Sequence, residues 1–596
     1  MPEIHPPRWR VLPALALFLL LLTGCRATPT RTLPLDTRWG RGLLVGVSQL
    51  HEAPAMQVDE RGEGVQLVWG SKQAGRIDLH AARIQRDRGV VSDVDLGTGL
   101  FLPRRYRLFT LANGERGLLT LAKPHKEGIP GVFYLRLSPQ GDLLAPAQRI
   151  TPDDARVVSY DALLRPDGAL DLVWEARRPE DDARMIFHRR LTGLDAEPAG
   201  GDPILLVERG QGPSLFRDAA GALHLLWHLD RELEGDRIIL YAPLGDAPAG
   251  PVEGVQIKRH GRNPGLRFSS PALTGDDGHL YAFWHLERLS GLSAGTASVT
   301  VISFPAGRPD QTREFDIAIP EGIPGREAWP QEGDFIPFAA PAGRLSGYVL
   351  YPGALQNSPP GDRAILLMTA KLTYRMKSEL QPVMVALADG GQAGYAPIAR
   401  SRFISSKPVG ASDDAGNLYA AWLDYRGAGK YLVLLSTTSR AWMQGALQLT
   451  RSDMMDDIAG EVGFGLLAAS ALIPMLLFIF LLPLVLLGLL ALLGRDRKLT
   501  TRTGRIQLLA AMLLYYVVKI VAFAPTLASP TLIRTLPAAW SMVLLLLIPL
   551  SIFLIAFGIM VLYIRRADNP GPITSFFLFA LVDLALTAII YSPAFY

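Results

Sequence analysis

A chain of 596 residues has room for more than one domain, and 60 basic against 56 acidic residues leave a net charge of only +4, too weak a field to favour nucleic acid. The single cysteine, Cys25, excludes an intrachain disulfide and a cysteine-rich zinc site. Hydrophobic residues make up 49% of the chain but gather at its two ends, and residues 26–460 read as soluble protein rich in Gly, Pro and turn chemistry.

Arg8 and Arg10 precede the apolar run "VLPALALFLLLL" (11–22), which is short for a membrane span and suited to an export signal. The run ends in Leu22-Thr23-Gly24-Cys25. This tetrad resembles the lipobox of bacterial lipoproteins. The resemblance implies a signal peptide over 1–24, lipid attachment at Cys25, and a tether over 25–40. The chain beyond Cys25 is then expected on the outer face of the bacterial cytoplasmic membrane.

Residues 41–455 carry a repeat. The pattern Gly-x-Leu-x-φ-φ-Trp, with φ apolar or small, recurs as "GALDLVW" (168–174), "GALHLLW" (221–227), "GHLYAFW" (278–284) and "GNLYAAW" (416–422). A shorter relative, "GVQLVW" (64–69), adds Trp69 to Trp174, Trp227, Trp284 and Trp422. Looser versions at 117–123 and 343–351 place Leu121 and Tyr351 where the Trp is expected, giving seven units spaced 52 to 71 residues apart. Each unit also holds a second β-rich run, and no sustained helical period appears. Such units predict an all-β ectodomain, a propeller of about seven blades, each burying its faces against its neighbours. The stretch "SDDAGNLYAAWLDYRGAGKYLVLLSTT" (412–438) resembles the BNR or sialidase-like propeller repeat. That superfamily includes glycosidases and binding domains, and no catalytic residue carries over because its Arg-Ile-Pro motif and a good Asp-box are absent.

His228 and His285 follow equivalent Trps, with Asp230 and Glu287 two residues further on and Glu175 and Asp424 near the same register. If equivalent strand ends share one rim, these six form a candidate site for a cation or a sugar. The plainer alternative is that polar residues end each buried strand where it meets water. "GLSAG" (291–295) matches a nucleophile elbow but lacks the strand before Ser293 and the helix after it, so it reads as a turn. "DVDLG" (93–97) lacks the closing Glu of a calcium loop. No cofactor is predicted, and a structural divalent cation is left open.

Residues 460–596 hold four apolar segments, about 463–494, 506–525, 538–564 and 573–592, each long enough to span a bilayer. Basic residues crowd the first and third connecting loops (495–505 and 565–572), which places those loops in the cytoplasm and residue 460 and the C-terminus outside. The export signal predicts the same side for residue 460. Lys519 and Asp583 fall within these segments, and a buried charge demands a partner. The two could pair along a proton or solute path, and the plainer alternative is a structural ion pair or a Lys that snorkels outwards.

The leading expectation is a non-catalytic surface binding or assembly protein, a lipid-anchored propeller on a membrane bundle. Its partners would be the bilayer and either a membrane protein or an extracellular glycan or peptide. A cell-surface glycoside hydrolase is the alternative. A small transporter or a signalling subunit with an extracellular sensor is a third class.

Overall fold

The computed structural model describes residues 38–596 except 74–75, 179, 181, 197, 232–235, 247, 249, 262, 292, 323–333, 339–343, 356–360, 375–376, 402, 449–450, 452–478, 491, 493–497, 528–537, 568–569 and 592–596. The signal, Cys25, most of the tether and most of the first apolar segment lie outside the described residues. The chain divides into two compact units near residue 450.

The first unit is a seven-bladed β-propeller, with seven separate antiparallel sheets of four or five strands. Blade 1 runs outward from the central channel as Ala55–Val58, Gly64–Gln73, Arg76–Gln85 and Gly89–Asp95. The innermost strands of blades 2, 3 and 4 are Phe101–Thr110, Arg156–Leu164 and Gln211–Arg217. Blade 5 begins with the interrupted pair Leu266–Phe268 and Ala272–Gly275, blade 6 with Val349–Ala354 and blade 7 with Ile404–Ser412. Blade 7 is completed from the other end of the chain. Its strand Lys430–Thr437 pairs with Leu43–Ser48, Leu43 standing opposite Leu435, so the first strand of the chain locks the last blade. A closed ring leaves no long unpaired sheet between first and last blades.

The repeated Trp lies on the second strand of its blade and faces the preceding blade. Trp174 packs with Leu119 and Val132 of blade 2, Trp227 with Val173 and Ile186 of blade 3, and Trp284 with Leu226 and Ile239 of blade 4. Trp69, Trp174, Trp227, Trp284 and Trp422 are all fully buried. In three of the repeats the turn glycine six residues earlier takes a left-handed conformation, φ +80° at Gly168, +85° at Gly221 and +78° at Gly416, which a side chain resists.

Two looser repeats fall out of register. In blade 2 the left-handed turn glycine is Gly114 (φ +83°), not Gly117, so buried Thr120 holds the Trp position. Leu121 is one residue further along and faces blade 3 instead, because neighbouring residues of a strand point to opposite faces. Tyr351 belongs to the innermost strand of blade 6, Val349–Ala354. The second strand there is Ala364–Tyr374, and Met368 takes the Trp's place against Tyr281 and Phe283 of blade 5. Ser293 sits in the loop between strands His279–Arg288 and Thr296–Pro305, with no helix after it.

The second unit is helical, with Ile479–Leu490, Arg502–Leu527, Ala538–Arg566 and Pro572–Tyr591. Two helical stretches among the described residues, Arg502–Ile520 and Leu547–Arg566, are long and apolar enough to cross a membrane. Two of the four expected spans meet this test; the fourth contains the shorter apolar stretch Pro572–Thr587, and most of the first lies outside the described residues. Tyr515, Phe576, Phe579 and Met560 form the interior, while Leu513 and Leu562 are more than half exposed. Apolar side chains thus occupy both the inside and the outside of this unit.

Candidate functional site

The predicted rim residues separate into two sets. Glu175, His228 and His285 each follow a repeated Trp and point toward the next blade. Glu175 is 2% exposed and fully engaged: it accepts from Ser159 Oγ (2.7 Å), Arg184 Nη1 (2.9 Å) and the backbone N–H of Gly212 in blade 4 (2.9 Å). His285 places its ring against Tyr351 of blade 6, centroids 5.9 Å apart. His228 is buried beside Gly212, where an added Cβ would lie 3.0 Å from its ring. These three residues buttress innermost strands. Asp230 receives both Nε (2.7 Å) and Nη2 (3.0 Å) of Arg237. Glu287 accepts from Tyr348 Oη (3.1 Å) and Arg267 Nη1 (3.2 Å).

Asp424 does not share this register. It lies two residues after Trp422, on the same face as that Trp and so opposite to the face that carries Glu175, His228 and His285. There it is buried under Ser401 Oγ, Ser405 Oγ (2.7 Å) and Trp422 Nε1 (3.0 Å). The six residues therefore do not converge on one ligand. Among the described residues no three His, Cys, Asp or Glu side chains gather as a metal would require.

The structure points instead to the innermost strands. Together they line a central channel of about 1400 Å³ that takes in Glu52, Arg105, His285, Tyr351 and Lys407. At one end of the channel these strands carry β-bulges, with register breaks at Arg104/Tyr106, Gln211/Ser214, Leu350/Gly353 and Ser406/Val409. Within them Arg105 (φ +53°), Gly212 (+58°), Tyr351 (+56°) and Lys407 (+52°) are left-handed. Such a backbone is costly for residues other than glycine, about 1–3 kcal/mol each. Bulges redirect side chains that a regular strand would alternate.

Lys407 Nζ stands 4.5 Å from the centre of the Tyr351 ring, a cation–π contact. Burial lowers the Lys407 pKa and nearby Arg105 adds to this, while Glu52 opposes them. The same ammonium depresses His51 and His285, in each case after burial. Tyr351 is raised by burial and then by Glu287. The mouth thus joins His51 and Glu52 on the loop before blade 1 to side chains from blades 2, 5, 6 and 7.

A signal for these residues was present in the sequence. Pro213, Pro352 and Pro408 each follow a bulged residue. Proline cannot donate to a ladder, so within a strand it marks a bulge or an edge.

Acid should destabilise the propeller through its histidines. Burial first, and neighbouring cations second, push His228 and His285 down to about 4, whereas an unfolded histidine titrates near 6.5. Their contribution is complete above about pH 6.5 and is lost as pH falls toward 4, because only the unfolded state takes up those protons. For His228, 4% exposed, the loss is on the order of 3 kcal/mol. Asp424, raised by burial to about 6, acts in the opposite direction over a narrower interval and offsets part of this. The expected result is a thermal midpoint that falls between pH 6.5 and 4, and falls less in His228→Gln. A flat profile, or an unchanged slope in the variant, would refute the assignment.

No protein-family model matches the sequence, and no curated protein does. Solved structures similar to it include propeller glycoside hydrolases and a polysaccharide lyase, all at low identity. They include the polysaccharide lyase Uly1 (11% identity, 65% of this chain and 90% of that one, TM-score 0.39). Another is the Penicillium chrysogenum α-L-arabinanase complexed with arabinobiose (11%, 68% and 96%, 0.35). The GH93 α-L-arabinofuranosidase of Fusarium graminearum is a third (10%, 56% and 91%, 0.36).

Proposed function

We propose that this chain is a membrane-anchored, extracytoplasmic binding protein that takes its ligand at the mouth of the propeller channel. One observation carries the reading: three residues other than glycine, Arg105, Tyr351 and Lys407, hold left-handed backbone at the same end of the channel. Strain repeated on three separate blades is maintained against its cost, and its effect is to aim functional side chains at one opening. Export by the N-terminal signal, lipid at Cys25 and the helical unit as membrane anchor complete the proposal. The test is a glycan array probed with the full-length protein in detergent, comparing wild type with Lys407→Ala and Arg105→Ala. At least tenfold weaker capture by either variant is expected. Equal capture by all three proteins would remove the mouth as the site.

A second reading, glycoside hydrolysis, is favoured by the presence of Glu52 in the channel wall and Glu287 beside Tyr348 and Tyr351. Hydrolysis of a glycosidic bond uses two carboxyl groups about 5–10 Å apart. Release of reducing ends from a polysaccharide panel, lost in both Glu52→Gln and Glu287→Gln, would establish this reading over simple binding.

A further inference from the structure

The charges at the mouth select the ligand. Among the described residues Lys407 has no carboxylate within 4 Å and no hydrogen-bond partner. Its contact is the face of Tyr351. The exposed Arg105 guanidinium is likewise without a side-chain partner among the described residues, and so is that of its neighbour Arg104. Glu52 is the acid that acts on Lys407, against Arg105 of like charge. Lys407 and Arg105 therefore face Glu52 in a partly desolvated opening, where attraction for an anion is stronger than in open water. Glu287, which also acts on His285 and Tyr351, is paired with Arg267 at 3.2 Å.

A second cavity of about 870 Å³ borders the channel at Glu52 and is lined by Lys123, Arg156 and Arg177 but also by Glu127, Asp154 and Asp182. Arg104 and Arg178 also line it, but Arg177 is already paired with Asp182 at 2.9 Å, and Arg178 contacts Met185 Sδ at 3.3 Å. Lys407 and Arg105 line the channel itself.

Aromatic rings extend outward from the same place. His51 stacks on Tyr431 (5.1 Å, 11° between planes) and meets Tyr351 edge-on at 5.6 Å. Tyr425 lies 5.3 Å from Tyr431 and is 39% exposed. Flat amphipathic rings beside hydrogen-bonding groups suit the C–H faces and hydroxyls of a sugar, and the channel volume far exceeds that of an inorganic anion.

We propose that the ligand is an acidic saccharide, its carboxylate or sulfate received between Lys407 and Arg105 and its ring faces meeting the His51, Tyr351, Tyr425 and Tyr431 rings. The inference rests on the reading of the mouth as the binding site.

The experiment is calorimetric titration of the full-length protein in detergent with four probes: an oligogalacturonate, a sulfated oligosaccharide, a neutral galacto-oligosaccharide of equal length, and inorganic sulfate. The expected result is that one acidic oligosaccharide binds at least tenfold tighter than the neutral one and weakens as salt rises. Lys407→Met should cost at least tenfold in affinity. Arg105→Asn tests the same point without disturbing the fold, since the residue is exposed and Asn tolerates its backbone angle. Glu52→Gln should strengthen binding by removing the competing carboxylate. Equal affinity for neutral and acidic oligosaccharides would overturn the anionic assignment while leaving the binding site in place. Inorganic sulfate binding as tightly as the oligosaccharide would overturn the saccharide. Binding of an acidic oligosaccharide undiminished in both Lys407→Met and Arg105→Asn, or no binding by any probe, would overturn the inference.

Discussion

Asp583→Ala is expected to cost the helical unit about 3–5 kcal/mol, the scale for removing one partner of a buried ion pair. Asp583 is 0% exposed and accepts from Lys519 Nζ, Tyr515 Oη (2.6 Å) and Tyr516 Oη (2.8 Å). Lys519 also donates to Thr587 Oγ1 at 2.7 Å. The cluster therefore ties helix Arg502–Leu527 to helix Pro572–Tyr591. Removing the carboxylate leaves a buried ammonium and two phenols without their acceptor. The paired replacement Lys519→Met/Asp583→Leu deletes both charges together and should recover most of the loss, since an apolar pair of similar volume is often neutral. Denaturant unfolding in detergent, followed by helical circular dichroism, measures both proteins. A single variant within about 1 kcal/mol of wild type, or a double variant no better than the single, would show that the cluster does not clamp the helices. A clamp with every polar atom engaged also favours a structural role for the pair over a solute path.

Trp442→Ala should be the most damaging substitution at the closure of the propeller, about 3–5 kcal/mol. Trp442 lies in the short helix Arg440–Gln444 after the last strand, fully buried. Its Nε1 donates to the carbonyl of Gly62 in blade 1 at 2.6 Å, and its ring meets Tyr419 of blade 7 edge-on at 6.0 Å. Deleting it empties the seam between first and last blades and leaves the buried Gly62 carbonyl with only the long bond from Tyr419 Oη at 3.4 Å. Gly40 N–H to the Thr437 carbonyl (2.9 Å) and Arg41 Nη2 to the Ala446 carbonyl (3.2 Å) hold the same seam from the other end of the chain. Trp442→Phe keeps most of the volume and loses the hydrogen bond, so it should fall between Ala and wild type. Urea unfolding read on the β-sheet signal tests the order. An Ala variant no weaker than the Phe variant would mean that the seam is held elsewhere.

The blades were legible because their causes are local. Alternation of apolar residues, a left-handed turn glycine and a Trp six residues later all lie within one hairpin. The Trp position itself was lost only where another residue stands there. With Thr120 or Met368 in its place nothing in a short window identifies the face, and a slip of one residue exchanges the two faces. Asp424 differs for another reason: two residues beyond Trp422, it shares that Trp's face, whereas the residue one beyond each other Trp takes the opposite face.

The candidate site was legible only in part. His285 and Glu287 were named from the repeat, whereas His51, Glu52, Arg105, Tyr351 and Lys407 come from loops and strands hundreds of residues apart. The prolines at the bulges announced broken strands but not which side chains would meet across the channel.

The blade repeat, the change to apolar segments near residue 460 and the need for Lys519 and Asp583 to find partners can all be read from the chain, since an unpaired charge in an apolar segment is too costly to persist. Only the tertiary structure decided which end of the chain completes blade 7, which face each strand buries, and which cations meet at the mouth. Those outcomes depend on ring closure and on backbone strain shared among seven blades, and neither is a property of any short segment.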